Sequence, residues 1–567
     1  MQQMEQPEVF YTYEWALAVS RAYHAQLSPL LMLAYEDDSL AGLVALATNS
    51  SQEVVFLAGT TADYCDFICC PLRRRELVDL VLAKLRQAGA GMLRLANLPA
   101  DSATARSLQS TAGKHGYSVF SRPAYSCAQV VIDSPDGRKS VRESAQRRVR
   151  RYRKALGRNV PVKFDHSRSR DEIRAELPAF TKAHVARFLA TGRISNLAHS
   201  ERRVFLDELA GSLSASGWVT LSRLLVGGQA VAWNYGFEFA GTWFWYQPTF
   251  AGSFQQYSPG LWLLSEIVAQ SCESADTRRI DLGLGAEGYK ERLATSSRQT
   301  LHMTVSRSAS GCWKERVRYH SAAAMRSVPR VEVWARRALQ QTSSAQVRLG
   351  VEGIAGCLKS LSRRCGKLLR AQSEFFLLEW SPEHSLSIQH SASPSLQIQP
   401  LDLDILAAAA MHSVHDPETL AYLVRAAERL GAGKAQGFAL TTAAGVPFHL
   451  CWASDFGETS AVDFKHSMKA PSSNCALIVN CLTPRSLRRQ GYYREALAGV
   501  AAKLQASGNS PWIFAAANDI AAVRGAEQAG FVKKYCLRRR RVLFASHVVE
   551  SHVLPVAGPA VEVCSAA

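Results

Sequence analysis

Ile280–Lys290 reads IDLGLGAEGYK and sets Gly283, Gly285 and Gly288 at G-x-G-x-x-G spacing beside Asp281, Tyr289 and Lys290. Glycines so spaced let a backbone approach a pyrophosphate, and a carboxylate, a phenol and an amine can share proton and charge work. A dinucleotide fingerprint also needs a crossover helix and an acidic residue about 20 positions on to hold the ribose. Here the sequence after Glu291, RLATSSRQTLHMTVSRSASGCWK, contains no Asp or Glu until Glu315. It also returns to a β-prone run too soon for a long crossover helix. The motif ends a module instead of opening one, and the NAD reading is rejected. What remains is Asp281-x-Gly283 at a strand end and Gly288-Tyr289-Lys290 opening a short helix. His184 is a further titratable group, on a helix between apolar neighbours that favour burial over catalysis.

The elements that must hold these groups follow from periodicity. An aromatic start, Phe10-Tyr-Thr-Tyr-Glu-Trp15, leads into a helix through Tyr23. Strands LLMLAYEDD and LAGLVALA meet at Asp37-Asp38-Ser39; EVVFLAG and MLRLANL are strands around an amphipathic helix RRRELVDLVLAKLRQAG. YSCAQVVID then opens a second stretch, followed by the basic run GRKSVRESAQRRVRRYRKALGRN, strand VPVKFDH and two helices. A meander with turns at Gly227-Gly228 and Ala240-Gly241 precedes a helix after Pro259-Gly260, and TLHMTVSR closes the module. Residues 308–372 carry thirteen Lys or Arg against Glu315, Glu332 and Glu352, a basic, helix-leaning connector. From 373 a third unit alternates strands and helices, and the residues after 548 read as a loose tail.

Composition sets outer bounds. A chain of 567 residues exceeds one core and predicts three or four domains. A formal charge of +18 favours anionic partners. The opening MQQMEQPEVF shows no signal-peptide pattern, no run is long enough to span a bilayer, and thirteen cysteines lack C-x-x-C or metal-ligand spacing. A cytoplasmic protein with free thiols and no metal is expected. The run 138–158 is a solvated helical face, or a site for an anionic glycan precursor, an acidic membrane surface or nucleic acid; Tyr152 is its one ring, which gives RNA no stacking platform.

DLGLGAEGYKERLA, preceded by YSPGLWLLSEIVAQSCES, resembles the late signature of GNAT-fold acyltransferases of the CelD group, associated with bacterial cellulose and exopolysaccharide biosynthesis and distantly similar to Fem-type aminoacyl transferases. The matching positions are Ser258, Pro259, Gly260, Asp281, Gly285, Tyr289 and Lys290, with Trp15, Asp63-Tyr64-x-Asp66, RRVRRYRKAL and the helix around His184 earlier in the chain. The resemblance covers residues 8–307 and implies two GNAT-like halves, 1–130 and 131–307, transferring an acyl group from a CoA thioester to an amine or hydroxyl. In that chemistry Lys290 would neutralise phosphate or polarise a carbonyl, Tyr289 would return a proton to the leaving thiolate, and Asp281 would orient either. His184 is the remaining catalytic candidate.

ALIVNCLTPRSLRRQGYYREAL followed by WIFAAANDIAAVRGAEQAGF resembles the core of a single-domain GNAT acetyltransferase over 373–548. The family's Arg/Gln-x-x-Gly-x-Gly/Ala loop holds the CoA pyrophosphate on backbone N–H groups at a helix N-terminus. Arg488, Arg489, Gln490, Gly491 and Tyr492 take those positions, and Asn518 takes the later asparagine. Tyr493 stands where a small residue is usual, and Ala526 where a tyrosine acid is usual. The whole is expected to be α+β, mixed α/β, with several GNAT domains whose mixed sheets are flanked by helices. The expected donor is acetyl-CoA or another acyl-CoA, and the expected acceptor a small molecule or glycan precursor. The rivals are a Fem-like transferase using aminoacyl-tRNA, and a non-catalytic scaffold that senses CoA.

Overall fold

A computed structural model of the chain describes residues 4–157, 159–285, 287–326, 372–384, 396–433, 435–455, 471–542 and 545–553. Two compact units emerge, residues 1–187 with 199–336, and residues 188–198 with 337–567. Most of the expected connector, 327–371, and the last part of the expected tail, 554–567, lie outside the described residues.

In the first unit the helices are α1 (Tyr13–Ala22), α2 (Arg74–Gln87), α3 (Ala103–Thr111), α4 (Pro135–Leu156), α5 (Arg170–Ala190, belonging here to Arg187), α6 (Ser200–Leu213), α7 (Pro259–Ser271), α8 (Gly288–Glu291) and α9 (Ala309–Arg326). The strands are β1 (Leu27–Glu36), β2 (Ser39–Asn49), β3 (Val54–Phe56), β4 (Ile68–Cys69), β5 (Met92–Pro99), β6 (Ser118–Val131), β7 (Val162–Ser167), β8 (Val219–Val226), β9 (Gln229–Phe239), β10 (Thr242–Phe250), β11 (Arg279–Asp281) and β12 (Ser296–Ser306). They form one sheet in the order β1-β2-β3-β5-β12-β6-β11-β10-β9-β8-β7, with β4 on β2. The expected division at 130 falls on β6, which pairs with both β11 and β12 and joins the two halves in a continuous ladder. Such pairing removes the open edges that separate half-sheets would present.

Local chemistry explains the elements. Thr12 caps α1 by accepting from Trp15 N at 3.3 Å, and Ser134 with Pro135 starts α4. The meander turns as expected, with Gly227, Gly228, Ala240 and Gly241 all at positive φ. The basic run is less free than its charge implied. α4 lays Ala145 and Tyr152 into the core against α7, where Tyr152 stacks on Trp262 at 6.0 Å, and Arg138 donates to the carbonyls of Ser274 and Thr277 at 2.6 and 2.7 Å. Helix α9, at the start of the expected connector, belongs to this unit: Cys312 bonds the Ser118 carbonyl on β6, and Tyr319 lies 6.3 Å from Phe120.

The second unit contains β13 (Gln372–Trp380), β14 (Gln397–Pro400), α10 (Leu403–His412), α11 (Pro417–Ala432), β15 (Gln436–Thr441), β16 (Pro447–Asp455), β17 (Cys475–Leu482), α12 (Tyr492–Ala506), β18 (Ser510–Ala516), α13 (Ile520–Gln528), β19 (Phe531–Val542) and β20 (Ala545–Val553). Its sheet order is β14-β15-β16-β17-β18-β13-β19-β20. Residues 549–553, placed in the expected tail, lie in β20, which pairs along β19 from Val542↔Ala545 to Tyr535↔Val553. α10 and α11 were not anticipated, although Asp402 and Asp416-Pro417 are standard starts.

One feature recurs three times. β3/β5, β10/β11 and β17/β18 are the parallel pairs, each joined through a crossover that contains a helix: α2, α7 and α12 respectively. All other pairings described are antiparallel. The architecture is α+β, with mixed sheets flanked by helices.

Candidate functional site

In the second unit β17 and β18 pair from Cys475↔Ser510 to Ile478↔Ile513 and then part. A cleft of about 820 Å³ opens at the divergence, lined among others by Asn480, Cys481, Arg488, Arg489, Gly491, Tyr492 and Tyr493. The parting begins at a bulge: Asn480 has φ 51°, and the β16–β17 register shifts between Leu450 and Trp452. Chain direction then carries Thr483 and Pro484 into the turn that starts α12.

That turn has the features of an anion cradle. Gly491 is the N-cap at φ 87°, with no side chain capping the helix, and Arg489 precedes it at φ 66°. The first-turn N–H groups of α12 therefore lack intrahelical partners, and the helix dipole adds favourable potential there, roughly 0.3–1 kcal/mol. A Cβ at Gly491 would meet nothing nearer than Arg494 Nη2 at 4.0 Å, so glycine is required for the sign of φ, and space is left in front of the amides. Arg488 Nε donates to the Thr483 carbonyl at 3.1 Å and its head is 3.9 Å from Glu418. Arg494 Nε is buried without a hydrogen-bond partner.

Two expected cofactor residues are placed differently. Gln490 is exposed and turns back to donate to the Ser486 carbonyl at 3.3 Å, and Asn518 is exposed in the turn after β18; neither lines the cleft. The lining also contains Tyr493, whose ring lies 5.6 Å from His449 and over Gly525.

In the first unit the separated motifs converge on β11. Tyr64 donates to Asp281 Oδ2 at 2.7 Å, Gln129 donates to the same oxygen at 2.8 Å, and Gly283 N donates to Oδ1 at 2.8 Å. Asp63 lies beside them, where a Cβ at Gly283 would stand 2.9 Å from Asp63 Oδ2. Burial, and next the Asp281 charge, push the Asp63 carboxyl up to about 7, against Lys290 and Arg202, which pull it down. Lys290 is buried, with Nζ donating to the Leu284 carbonyl at 2.8 Å and paired with Glu287 at 2.7 Å. Tyr289 accepts from Trp245 Nε1 at 3.2 Å; burial pushes its phenol up to about 12. Asp281, Tyr289 and Lys290 thus share one turn, filled by the protein's own side chains. His184 is buried on α5, with its ring 6.0 Å from Phe180. The nearby Glu8, pushed up to about 8 by burial despite its 2.7 Å pair with Arg298, went unnoticed in the sequence, where it is one acid among many.

Among the described residues no cluster of three or more His, Cys, Asp or Glu could hold a metal, and no helix is long and apolar enough to cross a membrane.

Residues 143–291 match the family model described as an acetyltransferase (GNAT) domain. That stretch spans most of α4 through α8 and includes the β10–α7–β11 unit, so this part of the chain is a GNAT-type acyltransferase domain. No curated protein matches the chain. Similar solved structures include a conserved protein of unknown function from Bacteroides thetaiotaomicron, 12% identical over 54% of this chain and 93% of that one, with a TM-score of 0.38. FemX is 10% identical over 53% and 92%, with a TM-score of 0.37. A tandem GNAT protein from the clavulanic acid biosynthesis pathway is 11% identical over 50% and 86%, with a TM-score of 0.29.

Proposed function

We propose that the protein is an acyl-CoA-dependent acyltransferase whose C-terminal unit holds the donor. The carrying observation is the coincidence of a cleft at the parting of a parallel strand pair with an uncapped helix start flanked by Arg488, Arg489 and Gly491. In this reading the diphosphate lies on the N–H groups at the start of α12, Arg489 adds charge, and the pantetheine arm runs between β17 and β18 toward Cys481. Gln490 and Asn518 make no contact with the donor.

The acceptor in this reading is an amine or hydroxyl of a sugar or glycan precursor, in cytoplasmic steps of envelope or exopolysaccharide synthesis of the CelD kind. Asp281, Tyr289 and Lys290 are assigned to holding the β11–α8 turn, because each is already engaged by protein partners. His184 is assigned to packing of α5. The exposed row Arg150, Arg151 and Lys154 on α4 favours an anionic surface partner as an addition, with tRNA as the rival's version.

The test is release of free CoA thiol from acetyl-CoA by the full chain across a panel of amino-sugar and sugar acceptors, beside transfer from aminoacyl-tRNA. Acceptor-dependent thiol release supports the proposal. Transfer from aminoacyl-tRNA alone supports the Fem-like rival, and CoA binding without any turnover supports the scaffold.

A further inference from the structure

The sheet of the first unit runs from β1 to β7, and its two edge strands are built differently. β7 carries Lys163 and Asp165, paired at 3.5 Å, and such charges are the usual guard of an edge against pairing with another chain. β1, LSPLLMLAYE, holds no charged residue before Glu36, and among the described residues no strand pairs with its outer side. Its ladder to β2 continues without a break from Leu27↔Asn49 to Ala34↔Gly42, so its outer N–H and C=O groups form a regular row. Leu31, Leu33 and Tyr35 alternate onto one face, and Leu40 joins them across the hairpin from Tyr35; each is more than half exposed. The opposite face is closed: Gly42 on β2 is buried, and a Cβ there would stand 3.1 Å from Leu77 of α2.

We propose that β1 is the contact between two copies of this chain, paired antiparallel about a two-fold axis so that one sheet continues through both. Two needs meet at this strand: unpaired backbone along its edge and an apolar row along its face. A helix laid on the row covers the face and leaves the edge amides unpaired, whereas an extended strand satisfies both. The copy's own β1 has the chemistry of that strand. It is of equal length, and a two-fold antiparallel pair sets its apolar residues opposite apolar residues. With the strands aligned end to end, Glu36, the one charge, comes beside Leu27 and Ser28 of the copy, far from the copy's Glu36 and already paired with Arg73. Pro29, which has no N–H to give, stands near the end of the strand, where a missing donor matters least. The pairing involves no residue of the second unit, so it stands or falls independently of the CoA cleft.

Sedimentation equilibrium of the full chain, from nanomolar to high-micromolar concentration, reads the association, with hydrogen exchange of the β1 amides followed over the same range. The expected result is a reversible dimer of twice the mass of one chain, and β1 exchange that slows as the protein is concentrated. Leu33→Lys sets two like charges close together across the pair and should raise the dissociation constant at least about tenfold. Its melting temperature should match that of the unaltered single chain, because the Leu33 side chain is exposed there. Leu80→Lys, an exposed position on α2, should leave the dimer intact. Should Leu33→Lys not fold, Leu31→Lys makes the same test. A monomer at every concentration overturns the proposal, and β1 amides already protected in that monomer would mean that another part of the same chain covers the row. A dimer that Leu33→Lys and Leu80→Lys leave equally stable overturns the assignment to β1.

Discussion

The ring of Tyr493 occupies the volume that a side chain at Gly525 would need: a Cβ there would lie 2.6 Å from Tyr493 Cδ1. The tyrosine at the start of α12 is thus accommodated by a glycine on α13. Gly525→Ala should displace the ring and weaken CoA binding by about tenfold or more, since overpacking typically costs 1–3 kcal/mol. The double variant Gly525→Ala, Tyr493→Ala should recover part of the loss. Calorimetric titration of both with CoA checks the pairing.

Arg489 presents charge beside the cradle without a described ion-pair partner, whereas Arg488 is engaged by the Thr483 carbonyl. Arg489→Ala should raise the Kd for CoA by about tenfold, as a charge-assisted hydrogen bond is worth roughly 1.5–3 kcal/mol. It should also flatten the salt dependence of binding. Titration at two ionic strengths reads both effects.

Asp63 predicts a pH effect on stability. Its folded value of about 7 lies above the ordinary 3.8, so between those values the folded state holds a proton that the unfolded chain releases. That contribution is fully present at low pH and is lost as pH rises through about 7. Asp63→Asn mimics the protonated form, so its stability relative to the unaltered protein should improve from pH 5 to pH 9. Over that range the change is capped at about 3 kcal/mol, two pH units at about 1.4 kcal/mol each. Denaturant unfolding of both proteins across that range shows whether the difference moves in this direction.

Lys290→Met should lower the melting temperature while leaving CoA affinity at the C-terminal cleft unchanged. Loss of a buried, bonded ammonium with its Leu284 and Glu287 contacts should cost about 1–3 kcal/mol. A variant that melts like the parent but no longer turns over would return Lys290 to the catalytic list.

Much of this was legible in the sequence where one residue type has one physical use. Gly491 before a helical pattern and behind two arginines announces a positive-φ turn over free amides, and Gly227-Gly228 announces a hairpin. The convergence of Asp63 and Tyr64 with Asp281 was legible only through resemblance, since Tyr64 and Asp281 meet across more than two hundred residues of chain. The continuity of β6 was hidden by Pro123 within it, which reads as a strand boundary. The bulge at Asn480 left no signal in the sequence, and a one-residue slip in register decides which face each side chain takes. At α4 the charge of the run gave no sign that Arg138 bonds carbonyls of the α7–β11 connection.

The most direct measurement is titration of the full chain with CoA, beside Gly491→Glu, which forces a side chain into a φ of 87° and places a carboxylate before the amides at the start of α12. The account predicts saturable binding by the unaltered protein and none at the C-terminal cleft of the folded variant. Equal affinity of the two proteins for CoA, or no binding by either, would contradict it.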